Sequence, residues 1–150
     1  MTDDRRRKAE IRALQAATGL PYLEARRQIT AFAEVMRQHP RLNSFGIGVF
    51  ASHRLTAEQR RDELAVGREE LAGRVAVVVE TAAWLRENIT PIRTPVVSSY
   101  TVKHVMQRTT GRYATNGEFI AAALVAGYAF RYDQPNVLFG MSRRDLSRLD

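Results

Sequence analysis

Six segments with helical apolar spacing, each followed by a glycine or proline stop, predict a mainly α fold. One pair of short β-prone runs around a four-residue turn adds a small β-hairpin. The chain has 150 residues, the size of one ordinary domain, and 45% hydrophobic residues are enough for a real core. Wholesale disorder is excluded by that hydrophobic content.

The elements follow in order. Over 4–17, Ile11 and Leu14 share one face and Gly19 is the C-terminal stop, which predicts a first helix. Pro21 suits the first position of a second, where its missing N–H costs nothing. Ile29, Phe32, Ala33 and Met36 then repeat at helical spacing before His39 and Pro40. The run FGIGVF (45–50) reads as a strand or a packed loop, and its GxG lacks the third glycine and βαβ context of a nucleotide fingerprint. Thr56 and Gln59 form a capping-box pattern opening a charged helix through about Leu71. After Gly73, the residues Val75, Val78, Ala82, Leu85 and Ile89 make an apolar stripe with Trp84 beside it, the core candidate of the central region.

Pro91 and Pro95 predict an extended linker. Ser98 caps a helix with Val102, Val105 and Met106 on one side and Gly111 at its end. Thr115 and Glu118 make a second capping box, opening a helix with Phe119, Ile120, Ala123 and Leu124 inward and Gly127 as its stop. Strands over 129–132 and 137–139 flank the turn Asp133-Gln134-Pro135-Asn136. The expected organisation is a helical hairpin over 1–44, a central helical region over 45–90 and, over 91–150, a helix-turn-helix-like unit with a hairpin and a basic tail, all in one compact domain. Helices, tight turn and hairpin are the parts of a winged helix.

Composition narrows the function. The absence of cysteine excludes disulfide scaffolds, cysteine zinc sites, thiolate catalysis and iron–sulfur chemistry. The charged stretch 1–10 lacks the apolar core of a signal peptide, and no apolar run reaches membrane-spanning length, so a cytoplasmic protein without a membrane partner is expected. The net charge is +7, and 21 of the 23 basic residues are arginine. Residues 1–44 carry nine basic and five acidic groups, 45–90 six and seven, and 91–150 eight and four. Both ends are therefore basic and the middle is slightly acidic, which suggests two basic lobes.

A recognition helix presents Arg, Lys, Asn or Gln to base edges, whereas the outward positions expected on the 116–127 helix are Asn116, Glu118, Ala122 and Val125. Basic groups surround it instead: Lys103, Arg108 and Arg112 before it, Arg131 on the hairpin, and Arg143, Arg144 and Arg148 in the tail. That arrangement suits phosphate contacts, which position a protein without reading sequence. The N-terminal Arg5-Arg6-Arg7-Lys8 run reads either as a phosphate-binding arm or as a solvated first helical turn.

The strings SSYTVKH (98–104), RYATNGEFIAAALVAGY (112–128) and PNVLF (135–139) resemble a family of small bacterial proteins found in actinomycetes and on mobile elements. The resemblance runs from Ser98 to Gly140, a little over a quarter of the chain, and carries no activity onto these residues. A mobile-element setting implies DNA maintenance, replication or regulation.

Catalytic constellations are thin. His39, His53 and His104 are far apart and lack metal-ligand spacing, so no metal or cofactor is expected. Tyr100, Lys103 and His104, near Ser98 and Ser99, contain a base and nucleophile types, but they read better as one helix surface than as a preformed catalytic pair. Asp62-Glu63 and Glu69-Glu70 read as a solvated face paired with neighbouring arginines. The expectation is a non-enzymatic nucleic-acid-binding accessory or regulatory protein using Lys103, Arg108, Arg112, Asn116, Arg131, Arg143 and Arg144. The alternative is a protein-interaction module, pairing with a partner or with itself through the apolar C-terminal helix and the hairpin.

Overall fold

A computed structural model describes residues 2–150 of the chain. It is 64% helical, and the mainly α fold with a small hairpin is borne out. Local capping chemistry sets most helix ends. Helix α1 (Asp3–Thr18) opens at Thr2, whose hydroxyl accepts from the Arg5 N–H, and closes at Gly19 in the left-handed region, φ 75°. Helix α2 (Tyr22–Gln38) starts one residue later than expected, because Pro21 occupies the extended cap position. Helix α3 (Ala57–Ala72) carries the full Thr56–Gln59 capping box, and α4 (Val75–Asn88) follows after a two-residue break. Helix α5 (Ser99–Thr110) is capped by Ser98 and stopped by Gly111, and α6 (Asn116–Ala126) carries the Thr115–Glu118 box and stops at Gly127. The basic tail is a seventh helix, α7 (Arg143–Leu149), capped by Ser142.

Helix α6 is the centre of the molecule. Phe119, Ile120, Ala121, Ala122 and Ala123 are fully buried, and the helix packs on α2, α4 and α5. Burying Phe119 and Ile120 alone stabilises the fold by roughly 1.5–3 kcal/mol each. Two positions expected to face outward, Glu118 and Ala122, are 3% and 0% exposed. Ala122 is covered because the helix is apolar around most of its circumference, and Glu118 because its side chain turns back into the Thr115 capping box. The core around it draws Phe32 from α2, Leu71 from α3, Val78 and Leu85 from α4, Val102 from α5, and Val137 and Phe139 from the C-terminal hairpin. A satellite cluster of Ile11, Leu14, Ala25 and Val79 fastens α1 and α2 to α4. The Tyr128 hydroxyl donates to the carbonyls of Leu85 (2.8 Å) and Ile89 (2.6 Å) at the end of α4. Burial pushes that phenol up to about 12.

Two small sheets complete the fold. The FGIGVF region contributes to a minimal ladder of β1 (Leu42–Asn43) and β2 (Gly46–Ile47), leading through a single turn of 3₁₀ helix (Ser52–Arg54) to α3. The expected hairpin is present as β4 (Phe130–Asp133) and β5 (Asn136–Phe139). The segment expected to be a plain linker supplies a third strand, β3 (Val97–Ser98), which pairs with β5 in the order β3-β5-β4, with Val97 opposite Phe139. Two residues carry no periodicity; only their partner strand makes them a strand. Among the described residues no helix is long and apolar enough to cross a membrane.

Candidate nucleic-acid interface

The basic residues of the C-terminal unit are largely engaged within the protein. Lys103 is 7% exposed, with its ammonium 5.8 Å from the Tyr100 ring centre and 5.6 Å from that of Tyr113, and burial lowers its pKa. Arg108 makes a two-nitrogen contact with Asp150, and Arg112 pairs with Glu80 at 3.2 Å. Asn116 lies at the entrance of α6, donating to the Asn136 side chain (2.9 Å) and accepting from the Ser99 hydroxyl (3.0 Å). Arg143 donates to the Val96 carbonyl at 3.2 Å. Arg131 and Arg144 are exposed and form no ion pair among the described residues. In the N-terminal run, Arg7 donates to the Thr30 hydroxyl and Lys8 pairs with Asp4.

A different set of arginines converges. Its scaffold is the β1–β2 loop, organised by the buried Asn43. The Asn43 amide donates to the carbonyls of Arg41 (3.2 Å), Gly46 (3.1 Å) and Gly48 (2.8 Å), and its oxygen accepts from the Phe45 N–H (3.0 Å). Three backbone bonds tie the same loop to its surroundings: the Ser44 N–H to Gly67 of α3, the Gly117 N–H of α6 to Ser44, and the Ile47 N–H to Pro135 of the hairpin turn. The approach is so close that a Cβ on Gly117 would lie 1.8 Å from the Asn43 carbonyl oxygen, and one on Gly67 2.8 Å from the Asn43 side-chain oxygen. Only glycine fits at either position.

Arg68 and His39 anchor the loop from the α2 side. The Arg68 guanidinium donates to the carbonyls of Met36, His39 and Leu42, satisfying the end of α2. The His39 ring meets Phe130 and Tyr132 edge-on, with Nδ1 hydrogen-bonded to the Tyr132 hydroxyl; burial holds its pKa below the ordinary value.

Beyond this scaffold the chain passes through Ala51, held left-handed at φ 51°, into the 3₁₀ turn. Arg60 staples that turn by donating to the carbonyls of Leu55 (2.6 Å) and Ser52 (3.2 Å). Two adjoining clefts result, of about 430 and 550 Å³, with Arg41, Gly48, Val49, Ser52 and His53 common to both. Arg54 joins one, Arg60 and Arg61 the other, and no carboxylate lines either among the described residues. The Arg41 guanidinium donates to Gln134 of the hairpin turn at 3.2 Å, while Arg54 and Arg61 make no ion pair among the described residues.

Net charge by segment does not reveal these clefts. Arg41 lies in 1–44 and Arg54, Arg60 and Arg61 in 45–90, whose acids balance them in the sequence but line neither cleft. Asp62, Glu63 and Glu70 line a separate cleft of about 430 Å³ with Val66, on the other side of Phe45 and Phe50. The available signal was the Arg60-Arg61 pair just after the aromatic, glycine-rich loop.

A larger groove lies elsewhere. A groove of about 840 Å³ between the α1–α2 hairpin and the α3–α4 junction is lined by Leu14, Ile29, Phe32, Ala33, Met36 and Val75, with Glu10 and Glu69 at its edges. The apolar stripe read from the α2 sequence therefore divides: Phe32 is buried, while Ala33 stays exposed in the groove.

The fold and site define a mainly α protein with two small antiparallel sheets and two adjoining arginine-lined clefts, with no carboxylate among their described lining residues. No family model, no curated protein and no solved structure matches the chain.

Proposed function

We propose that the protein is a non-enzymatic nucleic-acid-binding accessory or regulatory protein that grips mainly the phosphate backbone. The observation that carries this reading is a pair of adjoining clefts that share Arg41 and His53, with Arg54 lining one, Arg60 and Arg61 the other, and no carboxylate among the described lining residues. Concentrated positive charge attracts a polyanion, and a guanidinium matches the geometry of phosphate oxygens. Asn43, Gly67 and Gly117 hold the loop before any ligand arrives, so little ordering entropy is lost on binding. The sequence resemblance to mobile-element proteins supports a role in DNA maintenance, replication or regulation. The surface basic groups Arg131 and Arg144 extend the field without the shape of a site.

The test is a fluorescence anisotropy titration with mixed-sequence duplex and single-stranded DNA, repeated across salt. Affinity is expected to fall steeply with salt, and Arg61→Ala is expected to reduce the log–log slope by about 1. A dissociation constant weaker than about 10⁻⁴ M at low salt, for both forms, would remove this reading.

A second reading, an interaction module for proteins, draws on the apolar groove between α1–α2 and α3–α4 rather than on α6, whose apolar surface is already in the core. Sedimentation velocity tests its simplest form: self-association lost in Ala33→Arg supports it, and a strict monomer at every concentration rejects self-pairing.

A further inference from the structure

Phe45 and Phe50 stand at the border between the arginine cleft and the acidic cleft, with their rings edge-to-face and centres 5.6 Å apart. Phe50 is 71% exposed, an unusual place for a phenylalanine, and the left-handed backbone at Ala51 immediately follows it. The core does not need this ring. Its setting is asymmetric: Arg41 and Arg54 share one cleft with the two rings, and Asp62 and Glu63 share the other.

This charge division orients any nucleotide lying across the pair. Its phosphate is drawn into the arginine side and repelled from the Asp62–Glu63 side, leaving the base over the exposed ring. An unpaired base has a free π-face for an aromatic side chain, whereas the bases of a duplex are stacked on each other and only its phosphates are exposed. We propose that Phe50, backed by Phe45, is a stacking platform for an unpaired base of a single-stranded nucleic acid whose phosphates lie along Arg41, Arg54 and Arg61. The proposal rests on the nucleic-acid reading above and adds the strand state of the ligand.

The experiment compares a fluorescein-labelled mixed-sequence single strand with the duplex formed from it and its complement, at one salt concentration, on the full chain. The single strand is expected to bind more tightly than the duplex. Phe50→Ala is expected to weaken single-strand binding roughly 5- to 100-fold and leave duplex binding unchanged. Phe50→Leu, which keeps apolar area but loses the ring, behaves like the alanine variant, and Phe50→Trp restores binding. Because the side chain is mostly exposed, all three variants keep the parent melting temperature, and duplex binding is an internal control for folding. Equal affinity for the two forms together with single-strand binding unchanged in Phe50→Ala would overturn the stacking platform while leaving the broader reading intact. Failure of the wild-type protein to bind either form overturns both.

Discussion

The C-terminal unit from α5 to β5 and the loop from Arg41 to Arg61 show opposite relations between charge in the sequence and charge available on the surface. The C-terminal unit looks basic, yet Lys103 is buried between tyrosines, Arg108 and Arg112 are paired with Asp150 and Glu80, and its central helix is the hydrophobic core. Most of the loop lies in 45–90, where acids outnumber bases by seven to six, yet its arginines line two adjoining clefts with no carboxylate among the described lining residues. Net charge per segment is therefore a poor guide to where a polyanion binds; the direction of each side chain and the presence of an internal partner decide it.

The largest expected effect breaks the scaffold on which the comparison stands. Gly117→Ala drives a methyl group against the Asn43 backbone and is expected to destabilise the fold by about 3 kcal/mol or more, read by urea denaturation. Asn43→Ala removes one side chain that answers four backbone groups of the loop. A loss of about 2–3 kcal/mol is expected, with nucleic-acid binding weakened in the protein that remains folded. An Asn43→Ala protein with unchanged stability and binding would mean that the cleft is not prebuilt by this residue.

A smaller effect sharpens the contrast between the regions. Arg61→Ala should weaken binding similarly across sequences and lower the salt slope, whereas Arg108→Ala should leave binding untouched because its guanidinium is held by Asp150. The smallest effects are in pH. The Tyr128 phenol is raised from 10.0 to about 12 in the folded protein, so the unfolded chain ionises first and stability declines between these values. Tyr128→Phe should flatten that part of a stability–pH profile. His39 is shifted down by burial, so the unfolded chain takes up its proton first and stability declines as pH falls below 6.5; His39→Gln should remove that component.

Most helix ends were legible because their chemistry is local. Thr56 with Gln59, Thr115 with Glu118, and the glycines at 19, 111 and 127 each act within a few residues of themselves. The burial of most of α6 is legible in FIAAALVA, which leaves no polar face. Strand β3 was not legible, because Val97 and Ser98 become a strand only by pairing with β5, about forty residues later. The cleft was illegible for the same kind of reason. Arg41 and Arg61 are twenty residues apart, and what brings them together is Asn43 wedged between Gly67 and Gly117, a contact among three distant segments.

The most direct test reverses charge in one region at a time. Arg54→Glu with Arg61→Glu places two carboxylates in the cleft, and Arg131→Glu with Arg144→Glu makes the same change of charge on the C-terminal unit. Salt-dependent anisotropy on both variants, each with its melting temperature checked against the parent, separates total charge from location. Binding is predicted to vanish in the first variant and to weaken only slightly in the second, through the long-range field. Loss of binding in the second with retention in the first would contradict the account and return the interface to the C-terminal unit.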